Sequence, residues 1–327
     1  MRNYRSFFAG TEDITLDLEL RDGMNTLVGP NNCGKSNLLR AVALAMDPNY
    51  PFDRASDIPA QMEWAFPRVT LHFSCDGRIS TEQTLLRYAA DYERSAVGGR
   101  TGGYASEGGE LRFVVTYIGD RQSGGKRQEF FLARGAGNRQ VDVEKRDKLI
   151  RQFRKACRFV LVESGESLQS LLTGRFREIL HMVIRDHLGT QIAAAERRRS
   201  DYIEGLQGDL LKPLRERIDA VVQQLFPEIS GVRLIPKVPD IDETLSNIDV
   251  ALTDSAETAL ASKGTGVRGA VMVAMLRYLA EQTRRSMIFA IEEPESFLHP
   301  AAQEALRDDL EGLAERQDVT LLVTTHS

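Results

Sequence analysis

Residues 29–36 read Gly29-Pro30-Asn31-Asn32-Cys33-Gly34-Lys35-Ser36, a complete G-x-x-x-x-G-K-[ST]. The stretch before it, GMNTLVG, is apolar and reads as a buried strand. An alternating strand, ITLDLEL (14–20), and a turn at Asp22-Gly23 precede that one. After the glycines, Lys35 to Met46 places Leu38, Leu39, Val42 and Met46 on one helical stripe. Strand, glycine loop and helix in that order form a phosphate cradle. Gly29 and Gly34 let backbone N–H groups turn inward, and the helix start adds its positive end. Lys35 then supplies a point charge for the β- and γ-phosphates, and the Ser36 hydroxyl a ligand for Mg²⁺. A turn of purely structural use has no need of Lys-Ser there, so ATP or GTP is the expected ligand. Cys33, inside the loop, is either a small filler or a thiol made reactive by the helix end.

A chain of 327 residues, 42% hydrophobic and 27% charged, can bury the core of one large α/β domain or two smaller ones. No apolar run reaches the roughly 20 residues that cross a bilayer, and MRNYRSFFAGTED has no signal-peptide core. Cys33, Cys75 and Cys157 are too widely and irregularly spaced for a disulfide framework or a zinc site, so a cytoplasmic location is expected. The net charge of −5 gives no global pull toward nucleic acid. Any DNA contact must come from a local basic patch. Lys145, Arg146, Lys148, Arg151, Arg154, Lys155 and Arg158 form one such stretch and Arg197–Arg199 another, each with a solvated helix face as the alternative.

Along the chain, RVTLHFSC (68–75), LRFVVTYIG (111–119) and EFFLA (129–133) read as an antiparallel sheet. The glycine-rich GGRTGGYASEGGE between the first two reads as a loop. Residues 141–157 turn helical and RFVLVES (158–164) returns to a buried strand. Residues 166–226 read as long helices broken near Gly189 and at Gly205–Gly208, and 227–254 as short strands and turns, including VRLIP and NIDVALTD. Helix 269–282, strand MIFAI (287–291), helix 301–316 and strand VTLLV (319–323) follow, an alternation that argues for a parallel, covered sheet.

IFAIEEPESFLHP places two adjacent carboxylates at the C-terminal end of a strand, facing the crevice where α/β sheets bind ligands. Glu292 suits the Mg²⁺ shell and Glu293 the orientation of an attacking water; a solvated acidic turn is the alternative. LASKGTGVRGAVMVAML sets a glycine turn before an apolar helix. It reads equally as a second phosphate site or as an N-cap turn centred on Ser262 or Thr265. His326, behind the last strand, is placed to reach a γ-phosphate. Asp308-Asp309 reads as a solvated helix face.

Together these motifs resemble the ATP-binding-cassette ATPases of the RecF/SMC class, and most closely the OLD-family (overcoming lysogenisation defect) ATP-dependent nucleases. NYRSF (3–7) looks like the opening strand signature, GPNNCGKSN the Walker A, ASKGTGVRG the signature motif, IFAIEEPESFLHP the Walker B and VTTHS the switch histidine. The resemblance implies an ABC-type P-loop ATPase head: an α/β fold with a mixed or parallel sheet, an antiparallel β subdomain and a helical dimerisation insertion. The ATPase would span 1–165 and 228–327, with the insertion at 166–227. ATP and Mg²⁺ are the implied cofactors. Arg5, Gly29, Pro30, Asn31, Asn32, Cys33, Gly34, Lys35, Ser36, Asn37, Ser262, Gly264, Thr265 and Gly266 would touch nucleotide. Ser36 and Glu292 would hold metal, and Lys35, Glu293 and His326 would act in hydrolysis. Departures are Glu292 where most cassette ATPases carry Asp, and Arg268 where many relatives have Gln. Gln61 and Gln122 are weak matches for a Q-loop.

The resemblance further implies a homodimer or higher oligomer in which two heads sandwich two ATP molecules. DNA would be the partner of the full-length or partner-bound form, and no membrane is expected. OLD enzymes continue into a TOPRIM nuclease domain with metal-binding acidic residues, and that domain is expected to be missing from this chain. The expected function is therefore the ATPase module of an OLD-type nuclease in anti-phage defence or DNA repair. An ATP-gated clamp serving a separate nuclease, or a RecF-like mediator, are the alternatives. LLVTTHS (321–327) accordingly reads as a point where a longer chain is cut.

Overall fold

The computed structural model of the chain describes residues 4–5, 18–58, 66–75, 77, 79–96, 105–118, 125–132, 142–164, 189–226, 228–245, 251–253, 257–259, 265–282, 285–296 and 300–326. These fall into two compact units, one made of Met1–Glu166 with Gly264–Ser327 and the other of Ser167–Lys263.

The first unit is built on four parallel strands in the order β1 (Gly23–Val28), β9 (Val319–Thr325), β8 (Ser286–Glu292) and β5 (Cys157–Val162). β8 and β9 lie between neighbours, and Phe289, Ala290, Ile291, Leu321 and Leu322 are all fully buried. Continuous apolar runs suit parallel strands, whose two faces are both covered. β1, expected to be fully buried, is not: Val28 is 63% exposed. Among the described strands it pairs only with β9. Residues 18–20 have no regular structure and the rest of ITLDLEL lies outside the described residues.

Helix α1 (Lys35–Met46) follows the glycine loop. Instead of one stripe, it buries Leu39 and all of Ala41–Met46. A helix apolar all round belongs inside a core, and α1 packs against β5, β8 and β9 as well as β2 and β3. The last two belong to an antiparallel sheet of β2 (Arg68–Ser74), β3 (Glu110–Ile118) and β4 (Lys126–Phe131). Phe73, Phe113 and Phe131 of that sheet gather around Phe153 of α4 (Val143–Ala156), with centroids 4.9–5.5 Å from it. Arg127 of β4 reaches back to α1: its Nη1 donates to the Leu44 carbonyl at 2.5 Å and its Nη2 to the Ala45 carbonyl at 3.0 Å. The helix has no basic residue in its own last turn. Arg127 therefore serves as its C-terminal cap from another element.

Four further helices belong to this unit. α2 (Arg54–Asp57) is a single turn, capped where the Asp53 carboxylate accepts the Ala55 N–H. α3 (Ser80–Ala96) packs on α4. Leu85, Ala89 and Tyr92 recur at helical spacing and are at most 2% exposed. α8 (Thr265–Gln282) and α9 (Pro300–Ala314) flank β8 in sequence, starting and ending near the expected positions.

The second unit holds α5 (Gly189–Gly205), a π turn (Leu206–Leu210), α6 (Lys212–Leu225), α7 (Ile241–Leu245) and an antiparallel pair, β6 (Ala251–Thr253) with β7 (Glu257–Ala259). The expected breaks at Gly189 and Gly205–Gly208 coincide with the start of α5 and with the π turn. VRLIP does not form the expected strand. Its backbone is held by helix side chains instead: Asp219 accepts the Val232 N–H at 2.5 Å and Gln207 donates to the Leu234 carbonyl at 3.4 Å. Arg199 of α5 donates to the Val238 and Pro239 carbonyls. Residues 228–245, grouped by sequence with the second half of the ATPase, are thus tied to the helices of this unit. Among the described residues no helix is long and apolar enough to cross a membrane.

Candidate nucleotide site

Strand register assembles the site. Val28 stands opposite Thr325, Glu292 opposite Thr324, and Val162 opposite Ile291. Gly29, His326, Glu293 and Glu163 therefore leave the parallel sheet at one level, at the C-terminal ends of four adjacent strands.

The two loop glycines answer different demands. Gly34, at the N-cap of α1, has φ +99°, a left-handed conformation that a side chain strains. Gly29 is needed for space, since a Cβ there would meet the Cys33 sulfur at 2.9 Å. Asn32 is also left-handed, at φ +62°, where asparagine is the best tolerated non-glycine residue. The turn so formed wraps Lys35, whose Nζ donates to the Gly29 carbonyl at 2.6 Å and the Pro30 carbonyl at 3.1 Å.

Lys35 Nζ also lies 3.5 Å from Nδ1 of His326, and His326 Nε2 lies 2.6 Å from Oε1 of Glu293. An ammonium only donates and a carboxylate only accepts. The carboxylate therefore takes a proton of the ring at Nε2, and Nδ1 is the nitrogen turned toward the lysine. Glu293 has φ +47°, costly for a residue with a Cβ. Its surroundings fix it there: its N–H donates to the Thr324 carbonyl at 3.0 Å and to the Thr324 hydroxyl at 3.1 Å. Ser296 Oγ donates to its other carboxylate oxygen at 3.1 Å. Glu295 reaches across from the same loop, accepting the Thr325 hydroxyl and, at 3.3 Å, the His326 N–H. The turn after β8 and the end of β9 are in this way laced together on both sides of Glu293.

Glu292 faces the other way. Its Oε2 accepts the Ser164 N–H at 3.3 Å and lies 3.9 Å from Arg40 Nη2. Arg40 is four residues after Ser36, so the two share one face of α1. The face of α1 that carries Ser36 therefore looks toward Glu292. One hydroxyl and one carboxylate are hard oxygen donors, the type Mg²⁺ takes when phosphate oxygens and water complete its shell. No cluster of three or more ligating side chains, which would suit a protein-only metal cage, occurs among the described residues. The residues present fit Mg²⁺ bound together with a nucleotide.

Other expected site residues are distributed differently. Arg5 pairs with Asp57, Nε to Oδ1 at 2.7 Å, with its N–H on the Asp57 carbonyl. Thr265 and Gly266 begin α8. Ser262, Gly264, Gln61 and Gln122 lie outside the described residues. In the basic stretch, Lys145 pairs with Asp91, Lys148 with Glu144 and Arg154 with Glu129, while Arg151 and Lys155 are exposed. Arg146, Arg151 and Arg154 line a cleft of about 510 Å³ with Lys126 and Arg127 of β4. Arg197 and Arg198 are exposed, whereas Arg199 is committed to the backbone contacts given above. Asp308 and Asp309 are both exposed.

Sequence reasoning passed over Arg40, Glu163, Thr324 and Glu295. Arg40 was legible as the residue one helical turn beyond Ser36. Thr324 and Glu295 sit inside quoted motifs, but nothing in a linear pattern says that one hydroxyl caps a strained peptide or that one carboxylate spans two strands.

The AAA ATPase domain family matches residues 147–327, more than half of the chain. The Old nuclease of Escherichia phage P2 is 27% identical over 129 residues, which are 36% of this chain and 22% of that protein. The chain thus matches under a quarter of that relative's length. Among solved structures, an SMC head bound to the C-terminal winged-helix domain of ScpA aligns over 93% of this chain and 82% of its own, at 12% identity and TM-score 0.46. The SMC head domain from Thermotoga maritima aligns over 95% and 82%, at 15% identity and TM-score 0.38. A complete phosphate loop lies beside the strand ends of a parallel sheet, and the family match spans the acidic and histidine motifs: this chain belongs to the AAA ATPase domain family and is a nucleotide-binding ATPase domain.

Proposed function

We propose that the chain binds ATP with Mg²⁺ and hydrolyses it in a head-to-head dimer, as the ATPase part of an OLD-type DNA-processing system. The observation that carries this reading is the Lys35–His326–Glu293 series, 3.5 Å and 2.6 Å long, which joins the glycine loop to both sequence motifs at the chain's far end. Lys35 neutralises the β- and γ-phosphates, and Ser36 with Glu292 holds the metal, which screens phosphate charge and orients the γ-phosphate when bound. Glu293 accepts a hydrogen bond from the attacking water. Its carboxylate has lone pairs beyond those used by His326 and Ser296, so it can do so without releasing either. His326 then stands between the lysine and the glutamate, where it reports the γ-phosphate to both.

Dimerisation follows from the glycine turn at 262–266, which in this reading meets the partner's nucleotide, with the helical unit as a further contact. A link to a nuclease, and hence to DNA, is supported by the stretch shared with the Old nuclease. The test is Glu293→Gln, which keeps size and loses the charge that polarises water. With ATP it is expected to give a persistent dimer by light scattering and to lower hydrolysis at least about 100-fold. Hydrolysis at the wild-type rate would refute the assignment.

A further inference from the structure

The cleft of about 510 Å³ between β4 and α4 shares no residue with the nucleotide site. Arg127, in its wall, caps the C-terminal end of α1, whereas the glycine loop stands at that helix's N-terminal end, 12 residues and about 18 Å away. Five cationic side chains line the cleft against two carboxylates, a net of +3 in a chain whose total is −5. Both carboxylates are already engaged. Glu129 holds Arg127 on one oxygen at 2.6 Å and Arg154 on the other at 2.5 Å, and Asp147 pairs with Arg146. Lys126 and Arg151 are exposed, and their side chains form no ion pair among the described residues. The pairs thus fix a surplus of positive charge in the walls, and Lys126 and Arg151 offer it outward.

We propose that this cleft binds the phosphate backbone of duplex DNA. The inference deepens the DNA-processing part of the proposed function and rests on it. Arg146, Ile150 and Arg154 recur every four residues along one face of α4, with Arg151 beside them. The cations therefore extend over about 12 Å of helix. Phosphates follow one another along each strand of a duplex about every 3.4 Å of axis, so that length suits a run of about three rather than one small anion. Arg151 can fork two phosphate oxygens, and Lys126 adds a point charge. The lining holds no aromatic side chain on which an unpaired base could stack, so the contact is with the backbone and independent of sequence.

The experiment is fluorescence anisotropy of labelled, mixed-sequence duplex DNA titrated with the full chain at a series of salt concentrations, without Mg²⁺ or nucleotide. Lys126→Gln combined with Arg151→Gln removes two phosphate contacts and leaves the Glu129 pairs alone. The slope of log affinity against log salt is expected to shrink by about 2, and affinity near 0.1 M salt to fall at least about 10-fold on every sequence tried. Each single change should take about half of that slope, and ATP affinity should match the wild type. A parallel loss of ATP affinity would tie the cleft to the glycine loop and overturn it as a separate site. Arg197→Gln with Arg198→Gln, on the other basic stretch, should leave the slope nearly unchanged; the reverse pattern would move the contact to those arginines and sink the inference. Inorganic tripolyphosphate displacing the duplex at equal phosphate concentration would identify a site for free polyphosphate instead of a DNA backbone. Wild-type chain that binds no duplex even at low salt would remove the DNA reading altogether. Binding that the Lys126 and Arg151 changes leave undiminished would remove the cleft alone.

Discussion

Replacing Arg127 by methionine should destabilise the ATPase unit out of proportion to its place on a strand remote in sequence from the glycine loop. The guanidinium makes two bonds to the last carbonyls of α1, at 2.5 and 3.0 Å, one to Glu129 at 2.6 Å and a longer one to the Tyr117 hydroxyl at 3.4 Å. Methionine keeps most of the stem's packing and loses all four. Glu129 retains Arg154, 2.5 Å from its other oxygen, so its charge is not stranded. Leu44 and Ala45 are buried, so their carbonyls have little water to turn to. Two charge-assisted bonds at roughly 1.5–3 kcal/mol each, reduced for partial relaxation at a helix end, give a loss of about 3 kcal/mol. At about 2–4 °C per kcal/mol for a domain of this size, the thermal midpoint should fall by roughly 6–12 °C. Scanning calorimetry on the purified chain measures this directly, and Arg127→Lys, able to keep one contact, should lose about half as much. A fall under about 2 °C in Arg127→Met would refute the capping role and leave Arg127 as a surface cation.

Other expectations follow from the site. Gly29→Ala should weaken nucleotide binding because its Cβ meets the Cys33 sulfur at 2.9 Å, and adding Cys33→Ala should restore it; no rescue in a nucleotide titration would place the fault in the backbone. Cys33 is exposed, whereas burial pushes the Cys157 thiol up to about 12, so alkylation monitored by mass spectrometry should reach Cys33 first and be slowed there by ATP. Equal labelling of Cys33 with and without ATP would detach that thiol from the site. Thr324→Val removes one of two acceptors for the Glu293 N–H in a fully buried place, and should cost about 1–2 kcal/mol in denaturant melts and lower turnover with little change in nucleotide affinity. Unchanged turnover would show that the Glu293 peptide is held by the Thr324 carbonyl alone.

Much of this site could be read from letters because its parts are local. Gly29–Ser36 needs only a strand before it and a helix after it, and the Glu292–Glu293 pair needs only a strand end. What escaped reading depends on juxtaposition across the sheet. Arg40 looks like a surface break in an apolar helix until β5 brings Glu163 beside it. VRLIP has the composition of a strand, but its backbone partners turned out to be Asp219 and Gln207 on helices, and composition does not name partners. Ser80–Ala96 carries many charges, and its buried apolar residues Leu85, Ala89 and Tyr92 are spaced widely enough for the surrounding polar ones to mask them. β1 reads as a buried strand because TLV is apolar; its place at the edge of the described sheet depends on how chain segments far apart in sequence line up.

The pairing of β1 with β9 has a consequence for how the protein is made. Among the described strands, the one that launches the glycine loop is joined to its sheet only by the strand that carries Thr324 and leads into His326, and the Asn25 side chain bonds Leu321 across 296 residues of chain. Closing so long a loop is entropically slow, and contacts of this kind form late. On the ribosome the first phosphate-binding motif to appear must therefore wait, unanchored in its sheet, until nearly the whole of this sequence has been translated. Nucleotide binding then becomes a property acquired only after β9 has been made, and a nascent chain stalled before Val319 should carry an intact loop sequence and hold no ATP.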